Sequence, residues 1–67
     1  MEILLNGERH NLPEGRTISE LLAELELSPD VVSVSLNGTV LKKEEFDGTV
    51  LQNGDAVEIM LFMGGGI

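Results

Sequence analysis

Residues 1–25, MEILLNGERHNLPEGRTISELLAEL, carry two local signals whose order sets the fold. Met1, Ile3 and Leu5 occupy alternate positions ahead of Asn6-Gly7, the dipeptide that tolerates the positive φ values of a type I′ turn, so a β-hairpin opens the chain. Pro13, Glu14 and Gly15 interrupt it. Thr17 and Glu20 then stand three apart at the head of an apolar run, the spacing of a capping box in which hydroxyl and carboxylate satisfy backbone donors reciprocally. Ile18, Leu21, Leu22 and Leu25 follow at i, i+3, i+4 and i+7, with Glu20, Glu24 and Glu26 largely off that stripe. A hairpin is thus followed by a helix with one face to bury, and Pro29 is expected to stop that helix.

Beyond Pro29, Val32, Val34 and Leu36 alternate with Ser33 and Ser35, the period of a half-buried strand, and Asn37-Gly38 turns the chain. Thr39 to Leu41 read as a short strand, Lys42 to Phe46 as a brief helical turn, and Asp47-Gly48 as a reversal before Thr49 to Leu51. Asn53-Gly54-Asp55 precedes a last strand over Ala56 to Met63, with Val57, Ile59 and Leu61 on the face toward the helix. Two strands, one helix, then two or three strands predict an α+β fold: a mixed sheet of four or five strands with the helix on one face.

The composition limits what such a fold can do. Sixty-seven residues make one small domain or a fragment of one, too little for a separate catalytic domain. Such a chain buries only about 60% of its unfolded surface, so its 42% hydrophobic residues must serve one core. Without cysteine there are no disulfides, thiolate metal sites or thiol catalysis. Four Lys and Arg against twelve Asp and Glu give a net charge of -8, which repels phosphate backbones and anionic lipid. Phe46 and Phe62 are the only aromatics, too few for a base-stacking platform. No apolar run approaches a bilayer span, and Glu2 stands where a signal peptide needs positive charge. The expectation is a soluble cytoplasmic protein without a nucleic-acid or membrane partner.

From MEILLNG through TISELL, VSLNGTVL and NGDAVEI to the closing glycines, the chain resembles the ThiS sulfur carriers of thiamin biosynthesis. These belong, with the somewhat longer MoaD carriers of molybdopterin synthesis, to the ubiquitin-like β-grasp proteins. The resemblance covers essentially the whole chain and implies a β-grasp domain over residues 1–63 and a flexible glycine-rich tail over residues 64–67. It also implies a carrier that is no enzyme and binds no cofactor of its own. In the family, a ThiF-like adenylating enzyme uses ATP to turn the terminal glycine carboxylate into an acyl-adenylate. A cysteine desulfurase supplies sulfur, a thiocarboxylate forms, and thiazole synthase accepts the sulfur. The sulfur-carrying end here would be Gly64, Gly65 and Gly66, whose lack of Cβ suits a narrow channel. Carriers serving molybdopterin or a sulfur-containing amino acid share this chemistry and remain alternatives, as does a ubiquitin-like binding module whose tail is never activated.

ThiS-like carriers end on glycine, whereas here Ile67 follows Gly66. A β-branched residue beside the carboxylate should hinder entry to a channel shaped for glycine, and some related carriers are trimmed by a metalloprotease, so removal of Ile67 before activation is expected. On the last strand, inward Val57, Ile59 and Leu61 leave Glu58, Met60 and Phe62 outward; on the first, inward Ile3 and Leu5 leave Leu4 outward. Because the family's first and last strands are neighbours, Leu4, Met60 and Phe62 are expected to form an apolar docking patch beside the tail. His10 has no ligand-like neighbours in sequence, and the acids lack the spacing of a calcium loop, so neither suggests a metal site. The acids are suited to steering the chain toward a basic partner surface.

Overall fold

The computed structural model describes residues 1–62; the expected boundary between residues 63 and 64 and the tail Gly64–Ile67 lie outside them. The chain forms β1 (Glu2–Leu5), β2 (Glu8–Asn11), α1 (Ile18–Glu24), β3 (Val32–Leu36), β4 (Thr39–Val40) and β5 (Ala56–Leu61), with 3-10 turns over Pro29–Val31 and Lys43–Glu45. The strands make one mixed sheet in the order β2-β1-β5-β3-β4. β5 lies at its centre, parallel to β1 and antiparallel to β3. With α1 across one face, this is the β-grasp arrangement.

Local chemistry sets the elements. Asn6 and Gly7 have φ of 51° and 85°, and Asn37 and Gly38 have φ of 50° and 87°, so both Asn-Gly pairs make two-residue turns with the twist that adjacent antiparallel strands require. At the start of α1 the Thr17 N–H donates to Glu20 Oε1 at 2.9 Å and the Glu20 N–H donates to Thr17 Oγ1 at 3.2 Å, closing the capping box. The next free donors are met by the returning chain: Ile18 N–H donates to the Thr49 carbonyl at 3.0 Å and Ser19 N–H to the Phe46 carbonyl at 3.2 Å. Thr49 to Leu51 therefore runs across the helix start with one bridge, Thr17 to Val50, and adds no sixth strand.

The end of the helix differs from the expectation. α1 stops at Glu24, ahead of Pro29, in a Schellman motif: Leu27 N–H donates to the Leu22 carbonyl at 2.9 Å and Glu26 N–H to the Ala23 carbonyl at 3.1 Å. Glu26 takes the left-handed conformation, φ 60°, that glycine usually supplies there. Pro29 instead opens the following 3-10 turn, with the Ser28 side chain accepting from the Asp30 N–H.

Ile18, Leu21 and Leu22 of the helix pack with Ile3, Val34, Val57 and Ile59 of the sheet, and Leu12, Val32, Phe46 and Leu51 close the rim. Leu25 is partly buried against the same cluster. Leu61 departs from its expected place: opposite Val32 and on the side of Val57 and Ile59, it is nevertheless 52% exposed. Leu61 is the last residue of β5, and the core cluster that joins Ile18, Leu21 and Leu22 to Val57 and Ile59 does not include it.

Candidate functional site

β5 leads directly toward the glycines, so its last residues define the candidate site. On the β3 side the pairing continues to the end of the described chain: Ser33 stands opposite Met60, Val32 opposite Leu61, and the Phe62 N–H donates to the Val31 carbonyl at 2.8 Å. The β1 side differs. Leu4 and Leu5 pair with Ala56 and Val57, the Asn6 N–H donates to the Val57 carbonyl at 2.9 Å, and then the chain turns away through Gly7.

Met60 and Phe62 point to the face opposite the helix and are 68% and 60% exposed. Standing two residues apart on one side of a strand, they present a single apolar surface. Leu4 is also exposed on that face, yet the parallel register puts it beside Ala56, four residues or about 13 Å along β5 from Met60. Exposed Glu58 lies between them on the same face. Two further exposed residues join the tail-proximal end instead: Val31, not singled out from the sequence and held against Phe62 by the backbone bond, and Leu61, expected in the core, on the opposite side of the strand. Val31 carries no sequence signal, because only the β3–β5 register brings it there.

The charged groups lie on the surface; among the described residues no buried polar or charged side chain occurs. His10 meets Glu24 at 3.1 Å and Arg16 meets Glu20 at 3.6 Å, while Lys43 contacts Asp30 beside Val31. Glu20 is held below the usual carboxylate range, chiefly by the hydrogen bond from the Thr17 backbone, then by the Thr17 hydroxyl and the Arg16 charge. His10, Glu24, Arg16 and Glu20 brace the helix at its start and flank, whereas the Lys43–Asp30 pair stands next to Val31 at the end of β5. No cluster of three His, Cys, Asp or Glu residues able to hold a metal occurs among the described residues. No described helix is long and apolar enough to cross a membrane. A hollow of about 240 Å³ lined by Met1, Glu14, Gly15, Leu51, Gln52 and Asn53 opens near the start of β5, at the end remote from Phe62. The described site is therefore an exposed apolar strand end.

Comparison with known proteins supplies the context. The model of the ThiS family matches residues 3–66, ending at Gly66. A thiazole synthase from Magnetococcus marinus is 41% identical over 66 residues, 98% of this chain and 20% of that protein. The sulfur carrier protein ThiS of Thermus thermophilus is 38% identical over 64 residues, 96% of this chain and 98% of that one. The crystal structure of the thiamine biosynthesis protein (ThiS) from Geobacter metallireducens superposes with a TM-score of 0.85 at 42% identity, covering 98% of this chain and all of that one. This chain thus spans a fifth of the thiazole synthase and nearly the full length of the Thermus carrier.

Proposed function

The chain belongs to the ThiS family of small sulfur carriers, and from that premise we propose that it delivers sulfur as a thiocarboxylate on Gly66 for the thiazole of thiamin. The observation that supports this reading most is the ThiS family match, which runs through the three consecutive glycines to Gly66. A carboxylate is a poor electrophile until one oxygen becomes a good leaving group. In the proposed sequence a ThiF-like adenylating enzyme lets a Gly66 carboxylate oxygen attack the α-phosphorus of ATP, and pyrophosphate departs. Sulfur drawn from a cysteine desulfurase then attacks the acyl carbon. The attacking sulfur is the outer sulfur of a persulfide, so AMP leaves with the activated oxygen to give an acyl disulfide, and a thiol reductant then breaks the S–S bond to leave the thiocarboxylate. The carrier's own part is to dock, through Met60 and Phe62 with Leu4 farther along the same face, and to present its terminus.

Thiazole synthase is the proposed acceptor. Its support is that a segment similar to nearly the whole of this chain occurs within proteins of that name, which favours it over a molybdopterin or amino-acid pathway. Gly66 must be the terminus for its carboxyl group to react, so removal of Ile67, by a metalloprotease in the proposed scheme, precedes activation. Incubation with the adenylating enzyme, ATP and sulfide tests the reading. A carrier gains the mass difference between sulfur and oxygen, while an unactivated binding module keeps its mass.

A further inference from the structure

We propose that Asn6 is a positioning residue for the tail, its carboxamide serving as the last rung that holds β5 on the β1 side. This role rests on the carrier reading above. β1 ends at Leu5, and the turn begins at Asn6 with φ 51°, so the β1 backbone is diverted before it can reach the next pair of groups on β5. Those groups belong to Ile59. The Asn6 side chain takes the place of the missing strand: the Ile59 N–H donates to Asn6 Oδ1 at 2.8 Å, and Asn6 Nδ2 donates to the Ile59 carbonyl at 3.2 Å. The orientation of the amide is fixed by its partners, since an N–H needs an oxygen and a carbonyl needs an N–H. With its own N–H on the Val57 carbonyl, Asn6 makes three hydrogen bonds to β5, the two to Ile59 spanning 53 positions of sequence.

The position of this clamp is what ties it to the tail. Ile59 is three residues before Phe62, the last described residue, and alternation directs the Leu61 N–H and C=O to the same side, where no described residue pairs with them. Among the described residues, Asn6 is therefore the last support on that side of the strand that leads toward the glycines. Without it the strand from Ile59 onward is held by β3 alone. Docking must then order strand residues that the free protein no longer holds on that side. The reacting carboxyl group is unchanged, so capture weakens while the chemical step, once the chain is docked, does not.

The fold contains its own control. Asn37, at the other Asn-Gly turn, grips β5 by the same device from the β3 side: the Ala56 N–H donates to Asn37 Oδ1 at 2.9 Å, and the Asn37 N–H donates to the Ala56 carbonyl at 2.7 Å. Its Nδ2 donates to Asp55 at 3.0 Å. This clamp holds the start of the strand, remote from the tail.

Asn6→Gly and Asn37→Gly each remove a carboxamide while keeping a residue that accepts the turn's positive φ. Amide exchange by NMR on the 67-residue chain and steady-state thiocarboxylation of the forms ending at Gly66 are measured for both. Asn6→Gly is expected to speed exchange at Ile59 and to raise KM for the adenylating enzyme on the order of tenfold with kcat unchanged. Asn37→Gly is expected to speed exchange at Ala56 and to leave KM alone. Asn6→Asp, which retains the acceptor for the Ile59 N–H, should keep that amide protected. An unchanged KM in Asn6→Gly, or an equal rise in Asn37→Gly, overturns the positioning role. Wild-type protein that takes up no sulfur overturns the carrier reading instead, while the exchange at Ile59 still reports whether Asn6 holds the strand.

Discussion

Replacing Met60 and Phe62 together by Ser separates docking from folding. Both side chains are mostly exposed, 68% and 60%, and point away from the helix, so their removal takes little from the core. Surface changes of this kind usually shift stability by about 0.5 kcal/mol or less, and the lower strand preference of Ser adds a few tenths more. A partner has more to gain from them. Phe presents roughly 200 Å², and the exposed 60% leaves about 120 Å², worth up to ~3 kcal/mol at about 25 cal/mol per Å². Met60 offers a similar amount. Ordering and imperfect packing reduce such sums, so a combined loss of ~2 kcal/mol, about 30-fold in Kd, is the expected effect. Calorimetric titration against the adenylating enzyme reads the affinity, and urea unfolding of the same samples reads the stability. Leu4→Ser, about 13 Å along the sheet from Met60, should cost less than either change at the tail end. Unchanged affinity in a double variant of unchanged stability refutes the docking role, and an unfolded variant refutes the assignment of strand faces.

Glu26→Gly should raise the urea midpoint, because the left-handed conformation costs an L-residue about 1–2 kcal/mol and the freer unfolded chain returns only part of the gain. A net stabilisation of roughly 0.5–1 kcal/mol is expected, and a fall in the midpoint would refute the Schellman reading. The lowered pKa of Glu20 means that its ionised form favours the folded state: the contribution is complete above the ordinary value of 4.5 and fades as pH falls through that value toward the lower folded one. The stability difference between wild type and Glu20→Gln should therefore be constant near neutrality and shrink below pH 4.5, as followed by urea melts across that range. A chain ending at Gly66 should be thiocarboxylated readily and the 67-residue chain poorly, as compared by intact mass after the same incubation; equal conversion removes the need for trimming.

What was legible in the sequence was local. The turn at Asn6-Gly7 needs only two residues able to take positive φ, and the capping box needs only Thr17 and Glu20 at the right spacing, so each was visible in a few letters. Strand alternation likewise told that Leu4, Met60 and Phe62 face away from the helix. The misses arise where a residue's role is set by something distant in sequence. Glu26 ends the helix although it lacks the glycine that would advertise a left-handed cap, and Pro29 drew attention to a stop the chain had already made. Val31 joins the tail-proximal surface through a pairing with Phe62, 31 positions away. Asn6 showed its turn propensity and concealed its side-chain bonds to Ile59, because nothing in the hairpin indicates which strand will lie beside it.

The exposed strand end follows from the economy of a small core. The core takes in Val57 and Ile59 and leaves Leu61 52% exposed, while on the far face of the same strand no second layer of described residues shields Met60 and Phe62. Among the described residues, what the fold offers at that place is exposed apolar surface on both faces of the strand. The arrangement is tolerable because the uncovered residues sit on a central strand paired with β3 to its end and clamped at Ile59 by Asn6. The apolar side chains are open to a partner, while the backbone beneath them stays tied into the sheet.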